Sequence, residues 1–248
     1  MPLSDPLLFS DPVIATTVLV VVIFGSIVQA GLGMGFGLTV APVLALIDPA
    51  LVPVAVLYLG MITAVAAAVS ERSAIVWREV GIGMMGRTAG IVLGTWVLLQ
   101  LDDRALFSLV FGCLILVAVS FSAIGLTLAL NQRNLLGMGV ISGFMGVITS
   151  VGAPPLALIY QNRIAKSARP TLGTFFALGG LFSLMSLYAT GYAGLDDLWM
   201  ALVMLPASLF GTWLGQRLRG RFDTRYRPAL LIMAATASAL LIWRGVSG

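Results

Sequence analysis

The chain has 248 residues, of which 59% are hydrophobic and only 10% charged, and its mean hydropathy is +1.05. Soluble domains carry about 25% charged residues, so this composition excludes a water-facing surface and describes an all-α polytopic membrane protein surrounded by lipid. The net charge of +4 is no nucleic-acid footprint, because the basic residues sit in short loops between apolar runs, with Arg217, Arg219, Arg221, Arg225 and Arg227 crowding one of them, the pattern of positive-inside orientation.

In chain order, apolar segments fall at roughly 13–30, 38–47, 53–70, 78–100, 105–130, 135–150, 153–161, 170–192, 198–216 and 228–245. Met1 to Asp11 carries Asp5 and Asp11 and no basic residue, so it is not expected to be a cleaved signal peptide, which needs a positive start. Most segments approach the ~20 residues that cross ~30 Å of hydrocarbon. Segments 38–47 and 153–161 are too short, because ten residues at 1.5 Å each reach only about 15 Å. Both follow a glycine-rich break and are expected to start near an Ala-Pro pair, with proline in the first turn, where its missing N–H is not needed.

The two breaks match one another. Gly31-Leu32-Gly33-Met34-Gly35-Phe36-Gly37 leads into Ala41-Pro42. Gly143-Phe144-Met145-Gly146 leads through Thr149-Ser150-Val151-Gly152 into Ala153-Pro154. One offset of 112 (143 minus 31) aligns Gly31 with Gly143 and Ala41-Pro42 with Ala153-Pro154. Further on, Gly94-Thr95-Trp96 matches Gly211-Thr212-Trp213, and Asp102-Asp103-Arg104 matches Asp223-Thr224-Arg225. The order of matches predicts two repeats of about five segments each, 1–130 and 131–248, within one membrane domain.

Loop charge predicts that the repeats are inverted. Asp11, Asp48, Asp102 and Asp103 mark loops of the first half, whereas the corresponding loops of the second half carry Arg163, Lys166 and Arg169, and then the arginine cluster. Corresponding loops therefore lie on opposite sides. The resulting path puts both termini outside and the loops near Arg133 and Arg163 in the cytoplasm, with Arg244 as a mild exception.

Paired Gly/Pro interruptions in the two halves of a transporter point to a substrate site at the bilayer midplane. Unwound backbone at membrane depth survives only when buried in protein or lining a wet cavity. The short helices that follow would aim their free N–H groups and positive dipole ends at an anion. Gly33, Gly35, Gly37, Ala41 and Pro42 form the first such cradle, and Gly152, Ala153 and Pro154 the second. Thr39, Thr149 and Ser150 add hydroxyl donors. The plainer reading is that the glycines only let helices pack closely.

Arg87 lies about ten residues inside its segment, where a charge costs at least ~2.5 kcal/mol unless it faces a cavity or a partner. It is either an anion-binding group or a structural charge that is ion-paired or snorkelling. Gln29 and Gln161 either line a path or cap helix ends. There is no histidine, and Cys113 is the only cysteine, which removes histidine-based nucleophilic catalysis and the usual N/S metal ligands. No carboxylate sits clearly at mid-span, so neither proton relay nor intramembrane catalysis is supported. The composition therefore predicts no enzyme, no metal and no cofactor.

The run Gly31 to Pro42, Trp77-Arg78, Leu93-Gly94-Thr95-Trp96, Gly152-Ala153-Pro154-Pro155, and Pro206 through Gly211-Thr212-Trp213-Leu214-Gly215 resembles the TauE/SafE sulfite exporter family, over nearly the whole chain. That resemblance implies a bacterial inner-membrane transporter of small sulfur-containing anions such as sulfite or organosulfonates. Its partners would be that anion and the surrounding lipid. Alternating access around the two breaks is the expected mechanism, and an anion or small-solute channel is the alternative. The chain departs from the family at Ser150-Val151-Gly152-Ala153, where a longer glycine run is common, and at Arg87, where a small or apolar residue is expected.

Overall fold

A computed structural model describes residues 11–218 and 227–247, so most of the arginine-rich loop, including Arg219, Arg221 and Arg225, and the acidic Asp5 lie outside the described residues. Those residues form ten α-helices and no strand: α1 Pro12–Leu32, α2 Phe36–Ile47, α3 Val54–Val69, α4 Trp77–Leu98, α5 Arg104–Ala123, α6 Gln132–Thr149, α7 Ala153–Tyr160, α8 Ala165–Ala189, α9 Leu195–Arg217 and α10 Arg227–Ser247. Seven segments are long and apolar enough to cross a membrane: α1, α4, α5, α8, α9, the stretch Pro49–Val69 that contains α3, and Leu230–Ser247 within α10. This is a multi-pass membrane protein.

The acidic residues that mark one set of loops cap the helices that follow. Asp11 accepts the Val13 N–H at 2.8 Å with Pro12 beside it, and Asp103 accepts the Leu106 N–H at 3.1 Å. Asp197 reaches back to the Gly194 N–H at 2.8 Å. Each satisfies a donor that a helix start leaves open.

All five tryptophans are exposed. Trp77 and Trp96 sit at the two ends of α4, nineteen residues and so about 28 Å apart. That spacing matches the ~30 Å between the interfaces where tryptophan is enriched.

Helices α4 and α6 pack backbone to backbone. A methyl carbon on Gly86 or Gly90 would sit 2.1 or 2.0 Å from the carbonyl oxygen of Leu136 or Val140, and one on Gly139 or Gly143 would meet the Gly83 or Arg87 carbonyl at 2.4 or 2.2 Å. Small residues on both faces permit such an approach. Helices α1 and α9 pack the same way, with Gly211 and Gly215 against the carbonyls of Ile23 and Ile27. Other packed pairs are α3 with α8, α5 with α10, α4 with α8, α9 with α3, α2 with α10 and α7 with α5.

The ends of α1, α3, α5 and α7 gather at one face with the starts of α4, α6 and α8. There Arg169 pairs with Glu71 at 3.0 Å and Arg163 with Glu79 at 2.8 Å, and the Leu128 N–H bonds the Leu158 carbonyl. At the opposite face the Tyr58 hydroxyl donates to that of Tyr188, and Arg244 Nη1 donates to the Leu46 carbonyl at 2.7 Å. Arg244, a mild exception to the expected charge pattern, thus satisfies a carbonyl at the end of α2, as cations near helix C-termini do.

The two short helices differ from expectation in one respect. Helix α7 begins at Ala153, with prolines 154 and 155 in its first turn. Helix α2 begins at Phe36 rather than near Ala41, and Pro42 lies in its interior. The chain turns earlier there because Gly33 (φ 81°) and Gly35 (φ 115°) both take left-handed conformations, which a residue with a Cβ rarely tolerates. In the second half Ser150 (φ 61°) makes the corresponding turn after α6. Gly143 and Gly146 are therefore interior to α6, and Gly143 serves packing rather than a break. At 12 and 8 residues, α2 and α7 reach only about 18 and 12 Å.

Candidate functional site

The two breaks meet. A methyl carbon on Gly37 would lie 1.9 Å from the Ser150 carbonyl oxygen. A cavity of about 50 Å3 lies at this junction, lined by Gln29, Gly35, Gly37, Arg87, Ser150, Gly152 and Ala153 among others. One water needs roughly 10–15 Å3 by this measure, so the space suits three or four waters or one small polyatomic ion.

Arg87 is the only charged residue of the lining, and no carboxylate lines it. It is 3% exposed and makes no ion pair among the described residues. Its Nη1 donates to Ser142 Oγ at 2.7 Å. Its Nε is buried without a hydrogen-bond partner, and Nη2 donates to no described residue. The guanidinium carbon lies 5.0 and 5.4 Å from the ring centroids of Phe175 and Phe176. These faces attract the cation but accept no N–H bond in the plane of the fork. Glycines make room for the group: a methyl carbon on Gly179 would lie 1.8 Å from Nε, and one on Gly152 would lie 3.0 Å from Nη1.

Backbone donors converge on the same space. At the start of α2 the Phe36 N–H is taken by Gln29 Oε1 at 3.1 Å, and the Thr39 N–H by the Gly35 carbonyl at 3.1 Å. Between them, the Gly37 and Leu38 N–H groups find no acceptor among the described residues, and both residues line the cavity. The Gly152 and Ala153 N–H groups at the start of α7 are in the same condition. Pro42, inside α2, removes the N–H that would otherwise bond the Leu38 carbonyl, and the carbonyls of Ser150 and Val151 precede α7 and lie outside its hydrogen-bond ladder. Those oxygens alone would suit a cation, but a full guanidinium charge outweighs partial carbonyl charges, and the net field of the cavity favours an anion.

The remaining residues singled out in the sequence fall around this centre. Gly33 ends α1 and rests on Arg169, whose Nε bonds the Gly31 carbonyl at 2.9 Å. Thr39 and Thr149 turn their hydroxyls back to the carbonyls of Gly35 and Met145, and Thr149 also accepts the Val151 N–H. They brace the breaks and do not line the cavity. Ala41 and Pro42 are buried in α2, and Pro154 is buried in α7. Gln161 lies at the far end of α7, bonded to the Leu126 carbonyl. Gln29 both caps α2 and lines the cavity. Ser142 had no motif to mark it; being the one serine in a glycine-rich helix is its only sequence signal. The α3 and α8 walls, including Gly60, Met61, Phe176 and Gly180, carry no polar signature at all.

Residues 18–241 match the family described as sulfite exporter TauE/SafE. The chain belongs to that family. It is accordingly a membrane transporter of the sulfite-exporter type, whose substrates are small anions. No curated protein and no solved structure matches the chain. For a TauE/SafE protein, whose substrates are small anions, a cavity lined by one arginine and no carboxylate is the place of matching charge.

Proposed function

We propose that this TauE/SafE protein is a secondary transporter that exports a small sulfur oxyanion from the bacterial cytoplasm across the inner membrane. The anion would bind where the breaks before α2 and α7 meet. The observation that carries this reading is Arg87: a buried, unpaired guanidinium beside four backbone N–H groups without acceptors. Each is a donor that water or an anion must satisfy, because unsatisfied polar groups at membrane depth cost several kcal/mol. Charge-assisted bonds to the fork and dipole attraction from both helix starts would replace the anion's hydration shell.

Alternating access follows from two inverted repeats, residues 1–130 and 131–248, with α2 and α7 as half-helices on either side of the cavity. The packing supports that division. Under it, α4 on α6 has its counterpart in α9 on α1, and α4 on α8 in α9 on α3. The α7–α5 contact has its counterpart in α2–α10. The charge is not duplicated: the Gly94–Gly211 offset of 117 puts Met204 opposite Arg87. One half supplies the cation and the other supplies the second break.

Proteoliposome flux of labelled sulfite, sulfate, thiosulfate and organosulfonates, under imposed potential and pH gradients, tests the function. Saturable flux with counterflow of at least one of these anions supports it. Flux that neither saturates nor shows counterflow is the signature of a channel. No flux of any of them sinks the anion reading.

A further inference from the structure

We infer that Ser142 is the positioning residue of the anion site: it holds the Arg87 fork in register with the second break. This rests on the reading of Arg87 as the anion's partner.

Ser142 is fully buried in α6. A buried hydroxyl in a helix commonly bonds the carbonyl one turn back, as Thr39, Thr149 and Thr174 do here. Ser142 instead makes both its bonds to other elements. Its Oγ accepts from Arg87 Nη1 of α4 at 2.7 Å and donates to the carbonyl of Gly152 at 2.6 Å. The direction of this chain is forced. Guanidinium can only donate, so the serine oxygen accepts there, and its single proton is left for the carbonyl.

Two consequences follow. The Gly152 carbonyl, an acceptor beside a site meant for an anion, is occupied. The fork is also held by one end only: Nη1 is anchored, while Nη2 donates to no described residue and remains for the ligand. Nothing else fixes the plane of the guanidinium by a directional bond. The aromatic contacts with Phe175 and Phe176 are tolerant of rotation, and Gly146 and Gly179 offer no side chain. One hydroxyl thus links the only charge in the cavity to the start of α7.

The test is a double-mutant cycle read by transport in proteoliposomes and by sulfite binding to the purified full-length protein. Ser142→Ala is expected to raise KM and Kd for sulfite about tenfold, as the loss of one hydrogen bond to a charged group does, with the maximal rate within about twofold of wild type. Ser142→Thr keeps the hydroxyl and is expected to recover most of that loss. On an Arg87→Gln background, Ser142→Ala is expected to add less than about twofold, because its effect runs through the arginine. If Ser142→Ala does not purify as a monodisperse species, Ser142→Cys, similar in shape and a poor acceptor, takes its place in the cycle. An unchanged KM, or the same factor on both backgrounds, overturns the proposal. If Arg87→Gln weakens binding and Ser142→Ala does not, only the role of Ser142 falls. If Arg87→Gln binds like wild type, the anion site itself falls.

Discussion

Gly37 turns its Cα toward the carbonyl oxygen of Ser150 so closely that a methyl group would overlap the oxygen, at 1.9 Å. The contact joins the first break to the second across 113 residues (150 minus 37). It brings the N-terminal end of α2 to the place where α6 gives way to α7, and with it the donors of both helix starts into one small space.

Gly37→Ala is expected to force these breaks apart. Overpacking against backbone, which cannot rotate away, costs about 3 kcal/mol. Thermal unfolding of the purified variant should show a loss of several degrees, together with loss of transport. Gly81→Ala and Gly137→Ala, where an added methyl meets nothing within 4 Å, should leave both unchanged.

Gly179→Ala probes the arginine without removing it. The new methyl would lie 1.8 Å from Arg87 Nε, so the guanidinium must shift. The expected result is anion affinity lowered about tenfold, or roughly 1.4 kcal/mol, with membrane insertion intact. Titration of the purified variant against wild type checks it.

The reach of the sequence differed between spans and site. Long apolar runs declare themselves, because ~20 residues must be nonpolar to cross lipid, and each of the ten segments corresponds to a helix. The starts of the short helices were less legible. The Ala-Pro pairs suggested a common register, yet Gly33 and Gly35 set the first turn early and left Pro42 inside α2, while Ser150 set the second turn late. Left-handed backbone at a serine is not readable from composition. Arg87 stood out by its depth alone. Its partners Ser142, Phe175 and Phe176 did not, because helix–helix contacts between α4, α6 and α8 join residues far apart in sequence that no periodicity links.

Arg169 and Arg163 make superficially similar ion pairs with unequal weight. Arg169 is 14% exposed at its side chain, bonds both Glu71 and the Gly31 carbonyl, and supports Gly33; Arg163 is 45% exposed. Arg169→Met is therefore expected to destabilise the protein by about 2 kcal/mol. Arg163→Met should cost at most about 1 kcal/mol, as exposed pairs do. Melting curves of the two variants separate these outcomes.

The proposed export of an anion through a cavity lined by no carboxylate needs no proton to move with it. The membrane potential supplies about 2.3 kcal/mol per charge for each 100 mV. In proteoliposomes, an inside-negative potential is expected to accelerate anion efflux, and reversing its sign should slow it, with the pH gradient held at zero. Flux indifferent to potential would contradict uncoupled anion movement.

The most direct measurement is the affinity of purified wild-type protein and of Arg87→Gln for whichever of sulfite, sulfate, thiosulfate or an organosulfonate the wild type carries fastest. Loss of a buried charge-assisted interaction of about 1.5–3 kcal/mol predicts binding weakened by about 10- to 150-fold in a variant that still inserts and purifies as a single species. An Arg87→Gln protein that is well folded and binds the anion as tightly as wild type would contradict a site built on this arginine.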